Sequence, residues 1–153
     1  MSADTERPAR TLYHDAIVAA ARRASGAGHL EQPDASVTLD NPLCGDRVSI
    51  DVRLHAGALS ALAHRVKGCL LCEAAAGVIA EHAAGASAAE LAAVHREVAA
   101  LLAGGGGQSL AWPALEMFAP VGRYRSRHEC VLLAFEALDR AMAEAASRPG
   151  VGA

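Results

Sequence analysis

The chain has 153 residues, 14 Lys+Arg against 17 Asp+Glu, a net charge of −3 and 52% hydrophobic residues, much of it alanine. That length suits one domain able to bury a core without a disulfide or metal to hold it, and the acidic balance argues against a nucleic-acid binder. No apolar run reaches the ~18 residues of a membrane span, and the mixed-charge start lacks a signal peptide's apolar region, so the chain reads as cytoplasmic.

Residues 10–28 read as a helix with Thr11 as N-cap, closed by Gly26 and Gly28. Residues 36–40 form a short alternating strand. Residues 46–54 alternate strictly, with Val48, Ile50, Val52 and Leu54 on one face and Arg47, Ser49, Asp51 and Arg53 on the other. Residues 58–66 are a weaker third strand, with Leu59, Ala61 and Ala63 on one face and Ser60, Leu62 and His64 on the other. The three strands predict an antiparallel meander.

The period then changes. Residues 68–85 read as an apolar helix. Residues 87–103 read as a second, opened by a Ser87–Glu90 capping box. The glycines at 104–107 are a connector: no strand precedes them and no Lys-Ser/Thr follows, so they are not a phosphate loop. Residues 108–126 predict a short helix and loop broken by Pro113 and Pro120. Residues 127–147 are the last helix, with Val131, Leu132, Phe135, Leu138 and Met142 facing inward. Strands followed by helices predict an α+β fold. One domain is expected over 1–153, with its core at about 11–147.

Four cysteines remain, and in a reducing compartment they point to metal binding or reactivity rather than to disulfides. Cys44 lies with Asp46 in the turn "NPLCGD" between the first two strands. Cys69 stands where the third strand gives way to a helix, and Cys130 in the first turn of the last helix. Helix N-termini favour anions, and the thiolate is the form that binds metal and attacks sulfur. If the helices pack on one sheet face, the three cysteines converge at its end. Three thiolates and one oxygen or nitrogen ligand make a site for zinc or an iron–sulfur cluster. Cys72 lies three residues from Cys69 on the same helix face. It reads as a small buried thiol, with a fourth-ligand or resolving role as the alternative.

"NPLCGD", "KGC" and "RHEC" followed by "LLAFEAL" resemble the IscU/SufU/NifU N-terminal family of iron–sulfur cluster assembly proteins, from about Leu12 to Met142. The resemblance implies a three-stranded antiparallel sheet packed by helices. It implies that Cys44, Cys69 and Cys130, with Asp46, hold a [2Fe–2S] cluster or a zinc ion. It also implies sulfur delivery by a cysteine desulfurase of SufS or NifS type, with Cys44 and Cys130 as candidate persulfide acceptors, and downstream iron–sulfur acceptor or carrier proteins. The long stretch from Cys69 to Cys130, and Arg127 three residues before Cys130, are closest to SufU. In IscU a histidine directly precedes the third cysteine; here His128 is two before it and is a possible ligand. The IscU chaperone motif LPPVK is absent, Cys72 replaces a serine, and His64 and Val66 replace a phenylalanine and a glycine. Arg127 is a candidate partner for the Asp46 carboxylate. Three functions follow: a scaffold that receives persulfide sulfur and builds a [2Fe–2S] cluster, a zinc-dependent SufU-type sulfurtransferase that activates a desulfurase, and a C-x-x-C dithiol redox protein using Cys69 and Cys72.

Overall fold

The computed structural model describes residues 2–43, 45–105 and 109–148, with side chains described from Tyr13 onward. Helix α1 (Ser2–Arg23) leads into strands β1 (Ala35–Asn41), β2 (Asp46–His55) and β3 (Ala58–Lys67). Helices α2 (Leu70–His82) and α3 (Ala88–Leu102) follow, then a 3-10 segment (Pro113–Arg123), a short 3-10 turn (Arg125–Arg127) and α4 (His128–Ser147). The sheet order is β1-β2-β3, both pairs antiparallel. This is the α+β meander that the residue periods predict.

The core lies between the sheet and the helices. Val48, Ile50 and Val52 on β2 are fully buried beneath α4, which crosses β1 and β2. Helix α2 packs beside α4 and β3, with α1 on α2 and α3 on α4. On α4, Val131, Phe135, Leu138 and Met142 point inward as expected, but Leu133 is buried while Leu132 is only partly so.

On β3 the predicted face changes along the strand. Beyond Leu59 the register shifts opposite Arg53/Leu54. A bulge reverses the alternation past it. Leu62, His64 and Val66 then stand opposite Val52, Ile50 and Val48, on the core face. Of the expected stripe of Leu59, Ala61 and Ala63, only Leu59 is on the core face; Ala63 is buried on the other face, opposite Asp51.

Helix α1 runs from Ser2 rather than from Thr11; the polar stretch before Thr11 has no apolar stripe that would mark it as helical. It ends before the two glycines, with Ala24 in the left-handed region at φ 48°. Tertiary contacts take over there. Arg23 pairs with Glu81 at 2.8 Å, His64 N–H donates to the Gly26 carbonyl at 2.8 Å, and Gly28 N–H donates to the His64 carbonyl at 2.9 Å. The capping box at Ser87–Glu90 forms as predicted. The prolines do not break the next segment: Pro113 opens the 3-10 run and Pro120 lies within it. At the first position a proline's missing N–H costs nothing, and short successive turns leave room for the second. Of the glycine connector, 106–107 lie outside the described residues.

Asp51 keeps its expected face of β2 but is not exposed there. It lies on the sheet face away from α4, yet it is only 4% exposed. The connector between α1 and β1 crosses over it. Leu30 N–H donates to its Oδ2 at 3.1 Å, Ser36 Oγ to its Oδ1 at 2.5 Å, and Arg65 grips both oxygens at 3.0 Å.

Candidate metal site

Asp46 begins β2, opposite Asn41 at the end of β1. The turn between them is set locally. Asn41 Oδ1 accepts from Leu43 N–H at 3.1 Å, and Gly45 N–H donates to the Asn41 carbonyl at 2.8 Å. Gly45 has φ +73°, a conformation that glycine takes without a Cβ penalty. Cys44 lies outside the described residues.

Antiparallel pairing brings the end of β3 beside Asp46. Cys69 is the N-cap of α2 and has no side-chain cap of its own. Asp46 supplies one: Cys69 N–H donates to Oδ1 at 3.1 Å, and Cys69 Sγ lies 3.6 Å from Oδ2. The approach depends on Gly68, where an added Cβ would meet Asp46 Oδ1 at 2.6 Å. Asp46 is 3% exposed, so this capping contact also answers part of the cost of burying a carboxylate.

Cys130 arrives from above, in the first turn of α4, and is fully buried. The ligand atoms of Asp46, Cys69 and Cys130 lie within 4.8 Å of one another. Metal–ligand bonds of about 2.0–2.3 Å in a tetrahedral site put ligand atoms roughly 3.5–3.8 Å apart. The Asp46–Cys69 separation of 3.6 Å falls there, and the three ligand atoms together are held within the looser limit of 4.8 Å. Two soft sulfur donors and one hard oxygen donor suit zinc or iron.

The other candidates stand apart. Cys72 faces into the core, fully buried, behind Cys69 on α2. His128 turns its Nε2 to the Gly122 carbonyl at 2.9 Å, which directs that nitrogen to the 3-10 segment. Arg127 is exposed at the N-cap of α4. Among the described contacts, both Asp46 oxygens go to Cys69 and neither to Arg127.

Two features of this end escaped the sequence reading. One is Gly68 as the space into which Asp46 fits; the only trace in the sequence is a glycine directly before a cysteine. The other is a surface pocket of about 660 Å³ beside the starts of α2 and α4, with Leu71 and Arg127 in its wall. Its lining comes from α1, α2 and the 3-10 segments, which no short sequence window joins.

The sequence matches the model of the NifU-like N terminal domain over residues 12–150. Among solved structures, a nitrogen-fixing NifU-like protein (N-terminal) from Brucella abortus is 30% identical, with a TM-score of 0.81 over 87% of this chain and 93% of that one. A hypothetical protein is 26% identical, with a TM-score of 0.78 over 87% and 98% of the two chains. A protein from Fervidobacterium islandicum AW-1, assigned as an iron–sulfur cluster assembly scaffold for the SUF system, is 20% identical, with a TM-score of 0.78 over 83% and 93%. That last likeness is one of fold. No curated protein matches the sequence. The match over residues 12–150 places the chain in a family: it belongs to the NifU-like N-terminal domain family.

Proposed function

We propose that this protein is an iron–sulfur cluster assembly scaffold. In this reading Cys44, Asp46, Cys69 and Cys130 hold a nascent [2Fe–2S] cluster, and a cysteine desulfurase supplies the sulfur. The observation that carries the reading is the convergence of Asp46, Cys69 and Cys130 within 4.8 Å in a chain of this family. Sulfur transfer needs a thiolate that attacks the outer sulfur of the donor persulfide. The donor S–S bond breaks, a new one forms on the acceptor, and the donor leaves as a thiolate, with no net oxidation. Cys130 is fully buried, so it accepts sulfur only if the site opens. Cys44 is therefore the acceptor we favour.

Anaerobic reconstitution with iron, cysteine and a desulfurase tests this. The expected result is a [2Fe–2S] absorption spectrum that Cys69→Ser and Cys130→Ser abolish. A colourless wild-type protein carrying tightly bound zinc would remove the scaffold reading.

A second reading is a zinc-dependent sulfurtransferase that activates a SufS-type desulfurase. Two features favour it: the sulfur and oxygen donors gathered within 4.8 Å of one another, and the long stretch between Cys69 and Cys130, which includes α3. It expects about one zinc per chain, the occupancy of a single four-ligand site, and a faster desulfurase in the protein's presence. The dithiol reading is the weakest, because Cys72 is buried in the core.

A further inference from the structure

The large hydrophobic side chains left exposed among the described residues are Leu43, Leu70 and Tyr124, at 94%, 38% and 62%. In the chain, each lies within six residues of a candidate ligand. Leu43 precedes Cys44, Leu70 follows Cys69, and Tyr124 leads into the turn before Cys130. Exposed apolar side chains gathered at one place mark an interaction surface more often than scattered ones do.

The pocket of about 660 Å³ opens on the same end. Its floor is apolar, with Ile17, Leu71 and Val121. The lining also carries two arginines, Arg123 and Arg127, with His14, and no carboxylate. An acid reaches the rim at Glu116, where Tyr13 Oη donates to Oε1 over 3.4 Å. Arg123, Arg125 and Arg127 are all exposed, and none is in an ion pair among the described residues. In a chain of net charge −3 this is a local concentration of positive charge. Such a patch selects anionic partners and speeds their encounter. A small anion would satisfy the arginines but leave Leu43, Leu70 and Tyr124 in water. A protein segment covers both.

We propose that this face docks an acidic segment of a partner protein, whose aromatic or aliphatic side chain enters the pocket while its carboxylates pair with Arg123, Arg125 and Arg127. The proposal deepens the reading of the neighbouring cluster as a site that exchanges sulfur or metal with a partner, and it rests on that reading for its biological sense. Its physical content is a buried apolar anchor ringed by charge pairs, the arrangement that concentrates binding energy at interfaces.

The test titrates a synthetic peptide, one phenylalanine between paired glutamates, into the full chain and follows methyl chemical shifts by NMR. Saturable binding is expected, with shifts at Ile17, Leu71 and Val121. Affinity should fall about tenfold or more in Arg123→Glu/Arg127→Glu, the equivalent of ~1.4 kcal/mol. Ala119→Trp, which fills the pocket, should weaken binding similarly. Three results would overturn the proposal: no saturable binding, equal affinity for a peptide with serine for phenylalanine, or equal affinity for one with lysine for glutamate. Octanoate binding as tightly as the peptide would reassign the pocket to a small amphipathic anion. The titration is run on chelator-treated and on reconstituted protein, so that a failure to load metal or cluster leaves its outcome readable.

Discussion

The Asp46 carboxylate and the Cys69 amide meet at 3.1 Å, so one candidate ligand caps the helix that carries another. Folding and the proposed ligation would share this contact. Asp46→Ala should leave the Cys69 N–H uncapped and cost about 1 kcal/mol of stability. It should also lower zinc or cluster content. Asp46→Asn keeps an acceptor for the amide but loses the anionic ligand, so it should recover stability without recovering metal. Denaturant midpoints and elemental analysis measured side by side would separate the two roles. Unchanged metal content in Asp46→Ala would remove this residue from the ligand set.

Gly68→Ala tests the same contact with every candidate ligand intact. Its new Cβ would sit 2.6 Å from Asp46 Oδ1, closer than any real Cβ contact. The carboxylate or the start of α2 must shift. We expect metal or cluster loading to fall toward that of Asp46→Ala, with a stability loss of roughly 1–3 kcal/mol from the overpacking. Full loading in this variant would mean that the site tolerates a displaced Asp46.

Where the sequence was legible, the signal was local. The alternation of β2, the Ser87–Glu90 capping box and the positions of Cys69 and Cys130 at helix starts each lie within a few residues. What it hid depends on pairing across the chain. The bulge on β3 moves His64 to the core face, and only the register against β2 reveals it. Asp51 looks like an outward residue until the α1–β1 connector is seen to cover it. Convergence of the three cysteines at one end of the sheet was an inference from topology. The structure places Cys69 and Cys130 together there, and Cys44 is outside the described residues.

Cys72 distinguishes a packing thiol from a redox one. It is fully buried on α2, in the hydrophobic core. Cys72→Ala removes one core atom and should cost about 1 kcal/mol. Zinc or cluster content and desulfurase stimulation should be unchanged. Loss of sulfur-transfer activity in a folded Cys72→Ala protein would restore the resolving-thiol role.

Asp51 predicts an acid limit to stability. Burial alone would raise its carboxyl, but hydrogen bonds from Arg65, Ser36 and the Leu30 amide, with the Arg65 charge, outweigh this and hold it at about 2. An unfolded aspartate titrates near ~3.9. The folded value is the lower one, so the network's stabilisation is complete above about pH 5 and is lost as the pH falls toward about 2. Arg65→Ala leaves Asp51 buried without its cation, so it should lower stability at neutral pH and shrink the further loss on acidification. Thermal melts of both proteins from pH 6 to pH 3 would show the two curves converging; parallel curves would rule out this pair as the source.

His64 acts in the same direction nearer neutrality. Its Nε2 lies 2.7 Å from the Ser25 carbonyl, which makes Nε2 the protonated nitrogen, and its buried Nδ1 has no partner among the described residues. Burial lowers its pKa, the Ser25 carbonyl works against that, and the Arg65 charge adds to the lowering. The imidazole is therefore favoured in its neutral form. An unfolded histidine takes up its proton near ~6.5. The stabilisation is thus present above that value and lost as the pH falls through the lower folded one, because a second N–H would have to be buried unpaired. His64→Phe keeps an aromatic ring beside Gly26 and Ala80 and removes the proton. It should lose some stability at pH 8 with the Ser25 contact, and then vary less between pH 7 and pH 5 than the wild type. Denaturation midpoints across that range decide the matter: an equal slope in the two proteins would show that the acid sensitivity arises elsewhere.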